Sequence, residues 1–154
     1  MTAHSLGTGW RASLQRLIRT RLWGMDIHPS ALIEASALLD RTWPRGIHIG
    51  AHVRIDEEVV VLTHDFTRGL YLDTRIGARC YVGPRAIVLP GVSIGEDCLV
   101  MPGALVNKDM PANSVATGNP VRIESRSDIT PAQGLAPADA DHRPGARNES
   151  GTGR

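Results

Sequence analysis

The sequence contains few aromatic residues, few cysteines and almost no net charge. Its 154 residues include three tryptophans, two tyrosines and one phenylalanine, so any core must be mainly aliphatic. The 17 basic and 16 acidic residues nearly cancel, which argues against a protein that coats nucleic acid through its overall charge. Two cysteines cannot build the dense disulfide framework of a small secreted scaffold, and they favour a reducing, cytoplasmic setting. No apolar run approaches the roughly 20 residues that span a bilayer, and no signal-peptide pattern opens the chain, so we expect a soluble or peripheral protein.

The chain divides by composition into three segments. Residues 1–26 carry four arginines and no acid before Asp26, with leucine and isoleucine at helical spacing, which predicts a short basic amphipathic helix. Residues 124–154 hold few large aliphatics among prolines and glycines. We expect this segment to be a disordered tail, because it cannot bury enough apolar surface to offset its ordering entropy. The segment between them, residues 27–123, is the predicted folded domain.

A six-residue repeat runs through this domain. From residue 76 onward every sixth position is isoleucine or valine, at Ile76, Val82, Val88, Ile94, Val100 and Val106. Upstream, the same step gives Ile27, Ile33 and Leu39 and, after a short insertion at 43–46, Ile49, Ile55 and Val61. A longer break in the repeat extends from Thr63 to Arg75. This period fits neither an α-helix nor a hairpin meander, and it indicates a repeat architecture.

The repeat predicts an all-β solenoid in which three hexads, each with one short strand and one turn, make one coil. Successive coils would stack like neighbouring strands of a sheet, about 4.8 Å apart. Ile76 would then lie beneath Ile94, and the aliphatic residues would form interior ladders. Cys80 and Cys98 are likewise separated by three hexads and should be stacked neighbours. A redox pair is one interpretation of them, but small buried thiols that fill a ladder are favoured.

The motifs resemble those of one enzyme family. The hexads and the stretch YVGPRAIVLPGVSIG at 81–95, followed by NKDMP at 107–111 and GNP at 118–120, are similar to the C-terminal half of the sugar and polysaccharide O-acetyltransferases among the hexapeptide-repeat acyltransferases. The resemblance implies a left-handed parallel β-helix of about five coils. It also implies transfer of an acetyl group from acetyl-coenzyme A to a sugar hydroxyl of a cell-envelope or exported polysaccharide precursor. Enzymes of this kind assemble as homotrimers with the coenzyme between two subunits.

His64 is the candidate general base in this interpretation. It lies three residues after Val61, where alternation directs a side chain outward, and it opens the long excursion. By resemblance it would deprotonate the acceptor hydroxyl, which then attacks acetyl-coenzyme A with no covalent enzyme intermediate. Asp65 is the second candidate catalytic residue, because it could orient the imidazole; the alternative is that it only marks the start of the loop. Polar and aromatic residues of the excursion, among them Tyr71 and Asp73, could line an acceptor pocket.

The candidate coenzyme-binding residues follow from the same resemblance. Tyr81 would place an aromatic face beside the pantetheine arm, and Pro84 occupies a position that borders the thioester, although proline offers no amide donor. Pro102 and Asn107 match residues that line the pantetheine groove. Lys108 and Arg122 match basic contacts, and cationic side chains suit the phosphates of the coenzyme. No metal is implied.

Three alternatives stay open at this point. An amine acceptor needs the same base, so the sequence does not separate a sugar N-acetyltransferase from an O-acetyltransferase. A γ-class carbonic anhydrase shares the coil and would require three zinc-binding histidines, for which His48, His52 and His64 are available. A solenoid that serves only as a binding surface is the third. The N-terminal helix would cover the open end of the coil or, alternatively, rest its arginines on anionic lipid at a membrane surface.

Overall fold

The structure is a computed structural model that describes residues 17–128. The first part of the predicted N-terminal helix and most of the predicted tail lie outside these residues. Sixteen strands and three short helical turns make up the described chain. Within residues 17–128, no helix has the length and apolar character needed to cross a membrane.

Most of the strands are two residues long and form three parallel sheets, which are the three sides of a coil. Sheet A contains β1 (Asp26–Ile27), β4 (Ile47–Ile49), β9 (Thr74–Ile76) and β12 (Ser93–Ile94). Sheet B contains β2 (Leu32–Ile33), β5 (Arg54–Ile55), β10 (Tyr81–Val82), β13 (Leu99–Val100), β15 (Ser114–Thr117) and β16 (Arg122–Ser125). Sheet C contains β3 (Leu38–Leu39), β6 (Val60–Val61), β11 (Ile87–Val88) and β14 (Leu105–Val106). The order A, B, C repeats along the chain, so four complete coils and the start of a fifth are present.

The register of the sheets confirms the predicted ladders. Ile76 pairs with Ile94 in sheet A, Val82 with Val100 in sheet B, and Val88 with Val106 in sheet C, each pair separated by one coil of three hexads. These side chains are at most 3% exposed. Small residues four positions after the aliphatic residues are buried as well, among them Ala86, Cys98 and Ala104. The narrow interior therefore holds aliphatic and small side chains, as the scarcity of aromatic residues requires.

Cys80 and Cys98 are buried free thiols in this ladder. Their sulfhydryl groups donate hydrogen bonds to the carbonyl oxygens of Gly95 and Pro111, at 2.9 and 3.0 Å. The neighbouring Cys98 thiol, together with burial, raises the pKa of the Cys80 thiol. A thiol with a raised pKa is a poor nucleophile, which agrees with a packing role for Cys80.

Both ends of the coil are covered. At the lower end, a π-helical turn at Ile18–Leu22 precedes the first coil, and the buried Arg19 donates from Nη2 to the carbonyl oxygen of Ala37 at 3.3 Å. Burial lowers the pKa of the Arg19 guanidinium. At the upper end, the turn at 118–121 reverses the chain, and β16 pairs antiparallel with β15. This strand reaches Ser125, two residues beyond the predicted domain end at 123, and a 3-10 turn follows at Arg126–Asp128.

Two insertions interrupt the coil at the same place. We call it the C–A corner, where the chain passes from sheet C to sheet A; its segments are 40–46, 62–73, 89–92 and 107–109. The first insertion contains a 3-10 turn at Pro44–Gly46, and the second contains a two-stranded antiparallel hairpin of β7 (His64–Asp65) and β8 (Leu70–Tyr71). Because Leu39 pairs with Val61 in sheet C, the residues that follow them are stacked neighbours. The two insertions are therefore in contact, one coil apart.

Candidate active site at the C–A corner

The stacked insertions bring Asp40 and His64 together. The carboxylate of Asp40 accepts a hydrogen bond from Nδ1 of the His64 ring. Oδ2 of Asp40 also accepts the backbone N–H groups of Thr63 and His64, at 2.9 and 3.1 Å, and Oδ1 accepts that of Thr42 at 2.8 Å. The Asp40 side chain is 3% exposed, whereas that of His64 is 24% exposed. A buried carboxylate thus holds a histidine whose ring reaches the surface.

The hydrogen bonds to Asp40 keep it ionised. Burial by itself would raise the pKa of this carboxyl, but the backbone N–H of Thr63, the His64 ring and the N–H groups of Thr42 and His64 outweigh it and hold the pKa well below its usual range. Since the carboxylate accepts the proton on Nδ1, the lone pair of a neutral His64 ring lies on Nε2. In this tautomer the basic nitrogen, Nε2, is directed away from Asp40.

The carboxylate of Asp65 is bound within the turn of the hairpin. Its Oδ1 accepts the backbone N–H groups of Thr67 and Arg68, both at 3.0 Å, and its Oδ2 accepts Nε of Arg68 at 2.6 Å. These contacts hold its carboxylate within the turn of the hairpin, with Arg68 as its charge partner. The carboxylate that orients His64 is Asp40 instead, so the expected orienting role of Asp65 is wrong.

Two aromatic rings lie beside this pair. Tyr71 is the cross-strand partner of His64 in the hairpin, and directly opposed residues direct their side chains to the same face. The ring of Trp43, from the first insertion, contacts that of Tyr71 with centroids 5.6 Å apart and planes inclined by 58°. Trp43 is 38% exposed and Tyr71 is 59% exposed. The imidazole therefore lies next to an exposed aromatic surface.

His48, in sheet A, contacts Asp73 near the end of the excursion. The ring of His48 lies between two carboxylates, with Nδ1 3.1 Å from Oδ2 of Asp26 and Nε2 3.4 Å from Oδ2 of Asp73. Asp73 also accepts Nη2 of Arg75 at 2.8 Å. An open groove of about 850 Å³ runs along the outer face of sheet A, past Asp26, His48 and Arg75. This groove lies on the side of the coil next to His64, and His64 does not line it.

Asn107 and Lys108 lie at the same corner as His64. They follow β14, two coils beyond the β6 strand that precedes His64, which is a separation of roughly 10 Å along the coil. Both are exposed. The structure therefore brings these two candidate coenzyme-binding residues and the candidate base to one edge of the protein.

The other candidate coenzyme-binding residues lie elsewhere. Pro84 and Pro102 are one coil apart at the opposite edge of sheet C, in the segments 83–86 and 101–104 that lead from sheet B, which we call the B–C corner. The half-buried Tyr81 is on the outer face of sheet B, where its hydroxyl donates to Oδ2 of Asp56 at 2.8 Å. Burial, followed by this hydrogen bond, raises the pKa of Tyr81 to about 12. Arg122 is exposed on β16. The candidate set is thus divided: two residues lie at the C–A corner, and the other four lie at the B–C corner and on sheet B.

Asp40 and Trp43 were not among the candidate residues predicted from the sequence. A signal for both was present, because the two breaks in the repeat follow Leu39 and Val61, which occupy equivalent positions one coil apart. Residues in the first break were therefore candidates for contact with the excursion.

The three histidines that the zinc alternative requires lie in three different parts of the coil. His48 is in sheet A, His52 is in a turn with a φ of 56°, and His64 is at the C–A corner. Across residues 17–128, no group of three or more histidine, cysteine, aspartate or glutamate side chains is arranged to hold a metal ion.

Comparison with known proteins places the coil in a family. Residues 73–108 match the family described as bacterial transferase hexapeptide, six repeats. The chain is 33% identical over 129 residues to serine acetyltransferase 2 of Arabidopsis thaliana, an alignment that covers 79% of this chain and 39% of that protein. It spans 36 to 50% of three of the curated relatives that it matches.

Solved structures share the fold. A maltose O-acetyltransferase from Clostridium difficile 630 aligns with a TM-score of 0.60 and 23% identity, over 79% of this chain and 78% of that one. A galactoside acetyltransferase in complex with coenzyme A aligns with a TM-score of 0.57 and 20% identity, over 79% and 72% of the two chains. These likenesses and the repeat confirm the predicted left-handed parallel β-helix. The chain therefore carries the bacterial transferase hexapeptide repeat on a left-handed parallel β-helix.

Proposed function

We propose that this protein transfers an acetyl group from acetyl-coenzyme A to a hydroxyl of a sugar acceptor, with His64 as the general base. The observation that carries the proposal is the contact between the buried, ionised Asp40 and the half-buried His64 ring. A carboxylate on Nδ1 fixes the imidazole in the tautomer that presents a basic Nε2. It also stabilises the imidazolium that forms when Nε2 accepts a proton.

The proposed reaction needs one base and no covalent enzyme intermediate. Nε2 of His64 takes the proton of the acceptor hydroxyl while its oxygen attacks the carbonyl carbon of the thioester. The tetrahedral intermediate then collapses, the carbon–sulfur bond breaks, and the coenzyme A thiolate takes the proton back from the imidazolium. The products are the acetylated acceptor and coenzyme A, and His64 returns to its neutral form.

The candidate coenzyme-binding residues fit the phosphates and the pantetheine arm of acetyl-coenzyme A. Lys108, at the C–A corner, and Arg122, on β16, supply cationic donors for the phosphates. Pro84 and Pro102 present apolar rings to the pantetheine arm, and neither has an N–H group to donate to it. Tyr81 offers part of a ring face, while its hydroxyl is held by Asp56. Asn107 adds an amide for the polar groups of the arm.

A homotrimer would assemble a complete coenzyme site. The outward positions of sheet C are all apolar: Leu38, Val60, Ile87 and Leu105. Leu38 is 60% exposed and Ile87 is 37% exposed, so this row leaves apolar surface in water. If sheet C faces a threefold axis, the C–A corner of one protomer meets the B–C corner of the next. The two halves of the candidate coenzyme set then face one another.

The acceptor that we propose is a cell-envelope or exported polysaccharide precursor, modified in the cytoplasm or at the membrane surface. The second candidate acceptor is serine, because a serine acetyltransferase is among the sequence relatives. A sugar amine is the third, since it would use the same base. A membrane contact through the N-terminal segment would have to use arginines other than Arg19, which is buried against the first coil.

The test combines binding and turnover. Purified protein is titrated with acetyl-coenzyme A in a calorimeter, and thiol release is followed with sugar and serine acceptors. We expect one coenzyme per protomer, no bound zinc in a metal assay of the same sample, and acceptor-dependent thiol release. His64→Ala should lower kcat by about two to four orders of magnitude with coenzyme affinity retained.

His52→Asn is the matched control for that variant. It removes a histidine from a turn with positive φ, a conformation that asparagine tolerates, and it should leave kcat close to that of the wild type. Full activity of His64→Ala would remove this residue from the mechanism. Zinc at one per protomer without coenzyme binding would instead favour the carbonic anhydrase alternative.

A further inference from the structure

The two insertions at the C–A corner carry an unusual share of the aromatic residues. The described chain has five aromatic residues, and Trp43, Phe66 and Tyr71 belong to these insertions. Trp43 and Tyr71 touch each other beside His64. In a protein with so few aromatic residues, two partly exposed rings next to the proposed base need a physical explanation.

Trp43 is held in place by the backbone around it. Its carbonyl oxygen accepts the hydroxyl of the fully buried Thr63 at 2.7 Å. A Cβ atom at Gly46 would lie 2.5 Å from Cδ1 of Trp43, so the ring packs into space that only glycine leaves. The position of this ring is therefore set before any ligand arrives, which lowers the entropic cost of binding against it.

Tyr71 is fixed by the hairpin. Its pairing with His64 places the phenol ring and the imidazole on one face of the hairpin, and the Trp43 ring supports the phenol from the neighbouring coil. Because the two ring planes are inclined by 58°, they present an angled apolar surface next to the imidazole. That geometry suits a molecule that places a ring face on the aromatic surface and one hydroxyl on the base.

We propose that Trp43 and Tyr71 form the wall against which the acceptor ring packs, so that the site selects a pyranoside over a small amino acid. This inference rests on the proposed acetyl transfer. A pyranose has a face of C–H groups that contacts aromatic rings well, and its hydroxyls project from the ring edge toward a base.

Serine fits this wall poorly. Its ammonium and carboxylate groups need charged partners when they leave water. Charged side chains of the excursion are already paired with each other, Arg68 with Asp65 and Asp73 with Arg75. The aromatic surface offers the amino acid little contact area. Of the two acceptor classes, the aromatic wall therefore favours the pyranoside over serine.

The test compares Tyr71→Leu with Tyr71→Phe. Thiol release is measured at saturating acetyl-coenzyme A with methyl glycosides of common hexoses and with L-serine. Tyr71→Leu should raise the KM for the glycoside about tenfold, with kcat and the KM for acetyl-coenzyme A little changed. Tyr71→Phe keeps the ring and should raise the glycoside KM much less than Tyr71→Leu does. Melting curves of both variants show whether the hairpin remains folded.

The outcomes separate the inference from the proposed function. An unchanged glycoside KM in Tyr71→Leu would overturn the aromatic wall and leave acetyl transfer standing. Preference of the wild-type protein for serine over every glycoside would overturn the wall and the sugar acceptor, and it would leave acetyl transfer itself standing. Wild-type protein that releases no thiol with any of these acceptors would overturn the proposed function itself, and the wall with it.

Discussion

Replacement of Asp40 by asparagine tests the proposed catalytic pair of Asp40 and His64 and the architecture of the corner together. The substitution keeps the size and shape of the side chain and removes its charge. Asp40 accepts hydrogen bonds from the backbone of Thr42, Thr63 and His64 and from the His64 ring, and its side chain is 3% exposed. An asparagine has one acceptor atom where the carboxylate has two, so at least one of these donors must face an N–H₂ group.

The loss of stability follows from these contacts. Hydrogen bonds to an ionised group contribute about 1.5 to 3 kcal/mol each, roughly twice as much as neutral ones. If the asparagine oxygen takes the position of Oδ2, three bonds become neutral and the bond from Thr42 is lost. We expect Asp40→Asn to lower the free energy of unfolding by about 3 kcal/mol at pH 7. Urea unfolding followed by circular dichroism measures this value.

The loss should depend on pH with a defined sign. The pKa of Asp40 is lowered in the folded protein, so its ionised form contributes stability above the pKa of the unfolded chain, which is about 4. That contribution is lost as the pH falls from about 4 toward the lower folded pKa. The difference in stability between wild type and Asp40→Asn should therefore shrink in this acidic range.

Activity should fall for a separate reason. With the asparagine oxygen in the place of Oδ2, Nδ1 of His64 donates to a neutral amide, which no longer stabilises the imidazolium that forms when Nε2 accepts the hydroxyl proton. We expect kcat to fall by about two to four orders of magnitude. Acetyl-coenzyme A titration should still give the wild-type affinity.

Asp65→Asn is the matched comparison for Asp40→Asn. It makes the same chemical change in a carboxylate that pairs with Arg68 in the hairpin turn, and turnover should stay close to that of the wild type. Full turnover of Asp40→Asn, or a stability difference that is the same at pH 3 and pH 7, would refute this account of Asp40. Loss of activity in Asp65→Asn alone would assign the orienting role to the other carboxylate.

Two further predictions concern the coenzyme and the assembly. Lys108→Ala should raise the KM for acetyl-coenzyme A about tenfold with little change in kcat, in steady-state thiol assays; a change confined to the KM of the acceptor would contradict the phosphate contact. Ile87→Asp should shift the sedimentation coefficient from trimer toward monomer, because it places a charge in the apolar row of sheet C. Leu32→Asp makes a similar change on sheet B, where Leu32 is 65% exposed, and should leave the assembly intact; equal disruption by both variants would argue against sheet C as the interface.

The coil could be predicted from the sequence because its determinants are local and periodic. Each hexad places one aliphatic residue inward, so Ile76 and Ile94 identify a ladder without any knowledge of long-range contacts. The two breaks in the repeat were visible for the same reason. His64, directed outward at the start of the longer break, could then be identified as a candidate base, by position and by resemblance.

The inward pattern of single hexads does not identify Asp40, because its role depends on a contact between two segments that are distant in the sequence; the equivalent positions of Leu39 and Val61 were the one signal for it. In the sequence it is one polar residue after an aliphatic, and Asp65 stands closer to the histidine. Only the register of sheet C, in which Leu39 pairs with Val61, places Asp40 against His64. The ion pair within the hairpin matters as well, because Arg68 binds the carboxylate of Asp65, the nearer acid in the sequence.

The antiparallel return of β16 has a consequence for the behaviour of the protein at high concentration. A parallel solenoid that ended on β15 would offer its last strand to the first strand of another molecule, and such stacking could continue into a fibre. Because Arg122–Ser125 runs in the opposite direction and has exposed or half-exposed side chains, the next molecule meets a strand that does not continue the parallel register. The reversal therefore ends the coil at a fixed length, and it leaves the sides of the coil as the surfaces through which copies of the chain can associate.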